Sequence, residues 1–211
     1  MRFRLYEPQD FNEVATLFAQ DFGEYPLYAA ARSWFDTKAE YMAFVRWVIE
    51  VFLRVQLKYN RVLLGVEKGR IIAAAVIAAP YDEDSKKRDF AVSAGLQTYL
   101  PTRLSRILSF FDMIIKAEEY NYTIDKEQHW HLYMFAVKKE YRGRGVGSLF
   151  MKKYLIPFVS KNGGKYISLA TNSEENVRFY ERAGFEVIHR DKVKFNSHVT
   201  PNWCMGRAID G

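Results

Sequence analysis

The feature that most constrains this 211-residue chain is a junction: an apolar strand, His131 to Val137, leads through Arg142-Gly143-Arg144-Gly145-Val146-Gly147 into an apolar helix. Glycines let the main chain adopt φ > 0 and approach an anion closely, while the N–H groups of a first helical turn have no intrahelical acceptor and point outward. Arg142 and Arg144 add positive charge at the same place. Together they predict a backbone-amide cradle for a diphosphate. Two common nucleotide loops are argued against. No Lys-Ser/Thr follows Gly147, and the strand arrives late in the chain without an early βαβ unit, so neither an ATP loop nor a dinucleotide fingerprint is present.

The rest of the chain supplies partners for that junction. A strand is expected over residues 2–7 and a helix from Asp10, a candidate N-cap, to Phe22. An aromatic-rich loop, Gly23 to Phe35, leads to the most apolar long stretch, Tyr41 to Tyr59. There Arg46, Glu50 and Arg54 recur at fourfold spacing, so Glu50 can pair with either arginine on one helical face. Those mid-span charges mark an amphipathic core helix rather than a membrane span. A hairpin follows, Arg61 to Glu67 and Ile71 to Ala79 about a Lys68-Gly69 turn. Residues Asp82 to Asp89 predict an exposed connection, and Leu96 to Tyr120 a helical region interrupted near Pro101. Beyond it are expected strand His129 to Val137, helix Val146 to Ser160, strand Lys165 to Ala170, helix Glu174 to Arg182, and strands over 185–195 and 202–208. The pattern is α+β, a sandwich of helices about a mixed sheet. The length suits one domain spanning residues 1–211.

Two segments carry a family resemblance. Met134-Phe-Ala-Val-Lys-Lys-Glu-Tyr-Arg-Gly-Arg-Gly-Val-Gly-Ser148 resembles the acetyl-coenzyme A signature of the GNAT N-acetyltransferases, with Arg142, Gly145 and Gly147 at its core positions. Asn172-Ser-Glu-Glu-Asn-Val-Arg-Phe-Tyr-Glu-Arg-Ala-Gly-Phe185 resembles the family's second block. The likeness is close over about residues 128–190 and elsewhere one of layout. It implies a GNAT-type three-layer α/β/α sandwich with a mixed, mostly antiparallel central sheet. A narrower likeness, in Phe18-Ala-Gln-Asp-Phe-Gly-Glu-Tyr-Pro26 and Trp203-Cys-Met205, is to puromycin-type N-acetyltransferases. The chain departs from that group at Ala170, where an acidic residue is the rule.

The resemblance assigns roles. Main-chain groups of Phe135, Ala136 and Val137 would hold the pantetheine arm and polarise the thioester carbonyl. The cradle itself comprises Arg142, Gly143, Arg144, Gly145, Val146, Gly147 and Ser148, and the amides of Asn172 and Asn176 would meet the same arm. Tyr180, one helical turn beyond Asn176, is the expected acid for the departing thiolate, since a phenol stays protonated at neutral pH. His131 is the expected base, sharing a strand face with Tyr133 by alternation, with a water chain or an acid of the Gly23 to Tyr28 loop such as Glu24 the next candidate. Glu24, Tyr25, Tyr28 and Tyr133 are expected at the acceptor, along with Trp34 and Phe35, forming an aromatic wall that attracts an ammonium.

Composition narrows the classes. At 49% hydrophobic and 16% aromatic the chain can bury a sizeable core. The formal charge of +6 is dispersed among acids and lacks any nucleic-acid-binding signature, so nucleic acid is not an expected partner. One cysteine, Cys204, excludes an intrachain disulfide. The N-terminus has no apolar leader, which points to a cytoplasmic protein with no membrane partner. His129 and His131 share a face, but no third His or Cys lies near in sequence, so no metal is expected. Exposed C-terminal strands would offer an edge for a homodimer. The expected activity is transfer of acetyl from acetyl-CoA to a primary amine of a small molecule by direct attack, since no Cys-His pair is apparent. The alternatives are a protein N-terminal or lysine acetyltransferase, and a non-catalytic acyl-CoA-binding module.

Overall fold

Thr37 and Glu40 start the longest helix reciprocally, the Thr37 hydroxyl accepting from the Glu40 N–H at 3.2 Å and the Glu40 carboxylate from the Thr37 N–H at 3.0 Å. The computed structural model describes residues 1–79 and 102–209. In chain order these give β1 (Arg2–Leu5), α1 (Phe11–Phe22), α2 (Pro26–Ala29), α3 (Lys38–Tyr59), β2 (Arg61–Glu67), β3 (Arg70–Ala78) and α4 (Leu104–Glu118). There follow β4 (His129–Val137), α5 (Val146–Phe150), α6 (Ile156–Lys161), β5 (Tyr166–Thr171), α7 (Glu174–Arg182), β6 (Glu186–Phe195) and β7 (His198–Ala208). The connection expected at residues 82–89 and the helical start expected at Leu96 lie outside the described residues.

Seven strands form one sheet in the order β1-β2-β3-β4-β5-β7-β6. Every neighbouring pair is antiparallel except β4 with β5. β2 and β3 are apolar on both faces because helices cover both. Leu64, Ala74 and Val76 face Val14, Phe18, Phe44 and Phe110 of α1, α3 and α4. Leu63, Ala75 and Ile77 face Phe150, Leu155, Val159 and Val177 on the other side. The result is a helix–sheet–helix sandwich with two cores, and each fully buried Phe contributes roughly 1.5–3 kcal/mol.

Local signals set several boundaries. Lys68 and Gly69 turn the hairpin at φ 49° and 77°, as the dipeptide predicts. Glu50 pairs with Arg46 at 2.5 Å and with Arg54 at 3.4 Å along α3. Asp10 precedes α1, but its carboxylate turns back to Arg4 and the Glu7 N–H instead of capping the helix. The helix expected over 146–160 is interrupted: Met151–Leu155 widens into a π-helical turn, with the Ile156 N–H donating to the Met151 carbonyl. Pro157 is the physical reason, since its ring crowds the carbonyl four residues back in a regular α-helix and it has no N–H to donate.

β4 carries the irregularity that matters most. Phe135 opposes Ala75 and Met134 opposes Val76, but Ile77 opposes Leu132, leaving Tyr133 as an extra residue. The bulge exchanges the faces of the strand. Trp130 and Leu132 pack toward α5 and α6, whereas Met134 and Ala136 pack toward α1 and α3.

Candidate active site

β4 and β5 pair only where His129, Trp130 and His131 meet Tyr166, Ile167 and Ser168. Beyond that point β5 continues along β7 to Thr171 and β4 continues along β3 to Val137, so the two central strands part. The Lys138 N–H donates to the Ile72 carbonyl at 2.8 Å, which fixes the parity of the ladder. By antiparallel alternation the main-chain groups of Phe135 and Val137 then turn away from β3, into the opening.

A cavity of about 320 Å³ occupies this region. Leu132, Tyr133, Met134 and Phe135 of β4 line one side, and Ala170, Thr171, Asn172, Asn176 and Tyr180 another. α1, α2, α3 and α4 close it with Phe22, Tyr25, Tyr28, Phe52, Val55, Phe111, Ile114 and Glu118. Sequence reasoning placed Tyr25, Tyr28 and Tyr133 here, and the fold brings them together. Glu24 is exposed and does not line the cavity, because α1 ends at Phe22 and the next turn carries Glu24 outward. Trp34 and Phe35 also stand apart from it: Trp34 meets Phe44 edge-on and Phe35 meets it tilted, and Trp34 also meets Phe110 and Phe195, in the core.

Beyond β4 comes the glycine-rich turn. Gly143 and Gly145 have φ of 71° and 76°, and a Cβ at either would meet nothing within 4 Å, so backbone conformation and not crowding demands glycine. Gly147 differs, since a Cβ there would lie 3.1 Å from Phe179, across the contact between α5 and α7. Leu149 donates to the Gly145 carbonyl at 2.9 Å as the first bond of α5, and the amides before it lack an intrahelical acceptor. Arg142 donates from Nε to the Val137 carbonyl at 2.9 Å and ion-pairs through its guanidinium with Asp21, tying the turn to α1. Burial pushes the Asp21 carboxyl up, and the Arg142 charge opposes that. Arg144 is exposed, 5.9 Å over the Tyr141 ring. Val146 is half-buried and Ser148 exposed at the same helix start.

Tyr180 is buried against Phe179 and Phe185 and lines the cavity. Burial, followed by the nearby Tyr25 and Asp21, raises its phenol well above the ordinary range, so it remains protonated. Tyr25 accepts from the Asn172 N–H at 2.6 Å and shares a 3.0 Å hydrogen bond with the Thr171 hydroxyl. Burial pushes its phenol up to about 12. Asn176 lines the cavity. Asn172 also lines it, but its side-chain amide donates to the Pro201 carbonyl at 2.9 Å and to Asn202 Oδ1 at 3.0 Å. Both of its side-chain hydrogens therefore serve β7.

His131 stands one step behind the cavity wall. Its Nδ1 is 3.0 Å from Ser168 Oγ, and its Nε2 is 3.2 Å from Glu118 Oε2. The second contact is close in distance but off the axis of a hydrogen bond, leaving Nε2 buried without a donor–acceptor partner. His129 reaches the same Ser168 hydroxyl at 2.7 Å from the other side. Burial, then the neighbouring His131, lowers His129 to about 4, which keeps it neutral near pH 7. Among the described residues no third donor completes a metal-binding group around the pair. Glu118 and Asp21 were not anticipated from sequence. Asp21 lies inside the N-terminal segment already singled out, but nothing in an amphipathic helix marks Glu118 as facing a cavity.

The second half of the chain matches a known domain. Residues 115–201 fit the family model described as acetyltransferase (GNAT) domain. Residues 115–201 thus carry a GNAT acetyltransferase domain. The GNAT domain so defined contains β4, the cradle, β5 and α7, and it places the chain among the acyltransferases. Solved structures share the GNAT fold over nearly the whole chain. A structure described as histone acetyltransferase HPA2 and related acetyltransferase from Corynebacterium glutamicum is 19% identical with a TM-score of 0.65, covering 99% of this chain and 96% of that one. Arylalkylamine N-acetyltransferase 2 from Aedes aegypti is 14% identical at 0.65, covering 99% of each chain. The Drosophila melanogaster polyamine N-acetyltransferase is 16% identical at 0.59, again covering 99% of each. No curated protein sequence matches the chain. No helix among the described residues is long and apolar enough to cross a membrane.

Proposed function

We propose that this GNAT protein moves an acetyl group from acetyl-CoA to a primary amine of a small molecule by direct attack in a ternary complex. One observation carries the reading: the glycine-rich turn follows the strand whose residues Leu132 to Phe135 line the aromatic cavity, and its Arg142 pairs with Asp21 of the cavity wall. A diphosphate on the amides of residues 143–148, beside Arg142 and Arg144, directs a pantetheine arm along the main-chain edge of Phe135 and Val137 that faces away from β3. The thioester carbonyl then lies where β4 donors stabilise developing negative charge.

The amine nitrogen attacks the carbonyl carbon, the carbon–sulfur bond breaks, and sulfur leaves as thiolate. Tyr180, held neutral by burial, donates to that sulfur and supplies its proton. The proton of the incoming ammonium leaves toward His131, reached from the cavity by way of Glu118. Cys204 is buried, and burial pushes its thiol up to about 12, which supports direct transfer over an acyl-cysteine intermediate. The recessed apolar cavity supports a small acceptor over a protein lysine. The arylalkylamine and polyamine acetyltransferases of the same fold support an amine as the acceptor.

Calorimetric titration of acetyl-CoA, with dephospho-CoA and NAD as comparisons, is the first test. Selective binding of acetyl-CoA followed by thiol release with an amine is expected. Absence of binding at millimolar ligand would overturn the reading, and binding without turnover on any amine would favour a non-catalytic module.

A further inference from the structure

Resting on the reading above, we infer that Glu118 seats the acceptor's ammonium and that the site takes amines bearing one positive charge on an apolar body. The cavity is small, and its wall is overwhelmingly aliphatic and aromatic. Two carboxylates line it among the described residues, Asp21 and Glu118. Asp21 is already matched by Arg142. Glu118 is different: it lies at the end of α4 with a side chain 15% exposed, accepts from Asn121 Nδ2 at 2.8 Å, and among the described residues has no Lys or Arg ion pair. The His131 ring also approaches it, Nε2 lying 3.2 Å from Oε2 without a hydrogen bond between them. A largely buried carboxylate with acceptor capacity to spare, facing an apolar cavity, calls for a cation.

The same wall disfavours a second cation. Val48, Phe52, Val55 and Ile114 offer a buried ammonium nothing to pair with. Gln56, the polar exception on that wall, is occupied by Asn60. Hydrophobic burial therefore favours an aromatic or branched body over a diamine. Glu118 also stands between the cavity and the His131–Ser168–His129 chain, so the ion that holds the ammonium adjoins the group expected to take its proton.

The test is acetyl transfer to 2-phenylethylamine and to 1,5-diaminopentane by wild type, Glu118→Gln and Glu118→Asp, with 2-phenylethanol as a neutral competitive inhibitor. Wild type should prefer the monoamine by about tenfold or more in kcat/KM, the scale of discrimination between paired and unpaired groups. Glu118→Gln should raise KM for 2-phenylethylamine by roughly 30-fold, as expected on losing a charged hydrogen-bond partner, while Glu118→Asp retains part of the affinity. Inhibition by 2-phenylethanol and affinity for acetyl-CoA should be unchanged, which a merely structural role for Glu118 would not allow. Equal or better use of the diamine, an unaltered KM in Glu118→Gln, or parallel weakening of 2-phenylethanol would overturn the inference. So would binding of acetyl-CoA with no turnover of either amine. Loss of acetyl-CoA binding by wild type would instead overturn the proposed acetyl transfer itself.

Discussion

Tyr180 and Gly145 illustrate two ways in which a single residue is constrained. Tyr180 sits in a packed aromatic group, and its hydroxyl is the only atom by which it differs from a core phenylalanine. Tyr180→Phe should leave acetyl-CoA affinity and the melting temperature nearly unchanged while lowering kcat by about 10²–10⁴-fold, the range for loss of a general acid. Steady-state kinetics beside calorimetry check this, and an unchanged kcat would remove Tyr180 from the mechanism. Gly145 is constrained by conformation. At φ 76° an alanine costs about 1–2 kcal/mol in backbone strain, although its methyl meets no neighbour. Gly145→Ala should therefore destabilise the protein by that amount in urea unfolding, and acetyl-CoA should bind more weakly because the amide cradle is distorted.

β4 is the element on which the site depends. Its first residues pair with β5 and its last do not, and the bulge at Tyr133 turns its side chains from one core to the other between these regions. The paired end carries a pH dependence. His129 has a pKa of about 4 in the folded chain against an ordinary 6.5, set first by burial and next by His131. Between those values the unfolded chain binds the extra proton, so stability is full above about pH 6.5 and declines as pH falls toward 4. Urea unfolding across that window should show a smaller decline in His129→Asn than in wild type. Identical slopes would show that His129 does not titrate in this way. At the other end of the crossover, Gly164 has no room for a side chain, since a Cβ would lie 2.3 Å from Val159 and 2.7 Å from Trp130. Gly164→Ala should cost about 1–3 kcal/mol through overpacking, read from the urea midpoint.

Across the whole molecule, the site draws on both layers. The proposed cradle lies at the start of α5, Tyr180 on α7, and the proposed acceptor wall on α1, α2, α3 and α4 on the opposite face of the sheet. Arg142 and Asp21 bridge the two sides. A ligand seated in the opening contacts both cores, so its binding energy adds to global stability. Acetyl-CoA at a hundred times its Kd should add about 2.7 kcal/mol by mass action. For a chain of this size that is roughly 2–4 °C of melting temperature per kcal/mol, measurable in a thermal scan. Arg142→Ala should reduce the shift at fixed ligand concentration.

The division between sequence and fold follows the range of the interactions. The hairpin at Lys68-Gly69, the Arg46–Glu50–Arg54 ladder and the strand–glycine–helix cradle are set by neighbours a few residues apart, and each was legible in the sequence. Tyr180 and Asn176 were legible as a pair because one helical turn separates them. The π-helical turn had a signal in Pro157 that periodicity alone did not reveal, and β7 begins at His198 where 202 was expected, because pairing with β6 extends it. What no local pattern contains is the parting of β4 from β5, the bulge at Tyr133, the exposure of Glu24, or the arrival of Glu118 beside His131. Those depend on strand register and on helices brought together from distant parts of the chain. Local chemistry thus determined the strand–glycine–helix turn, and tertiary packing decided which side chains line the cavity beyond it.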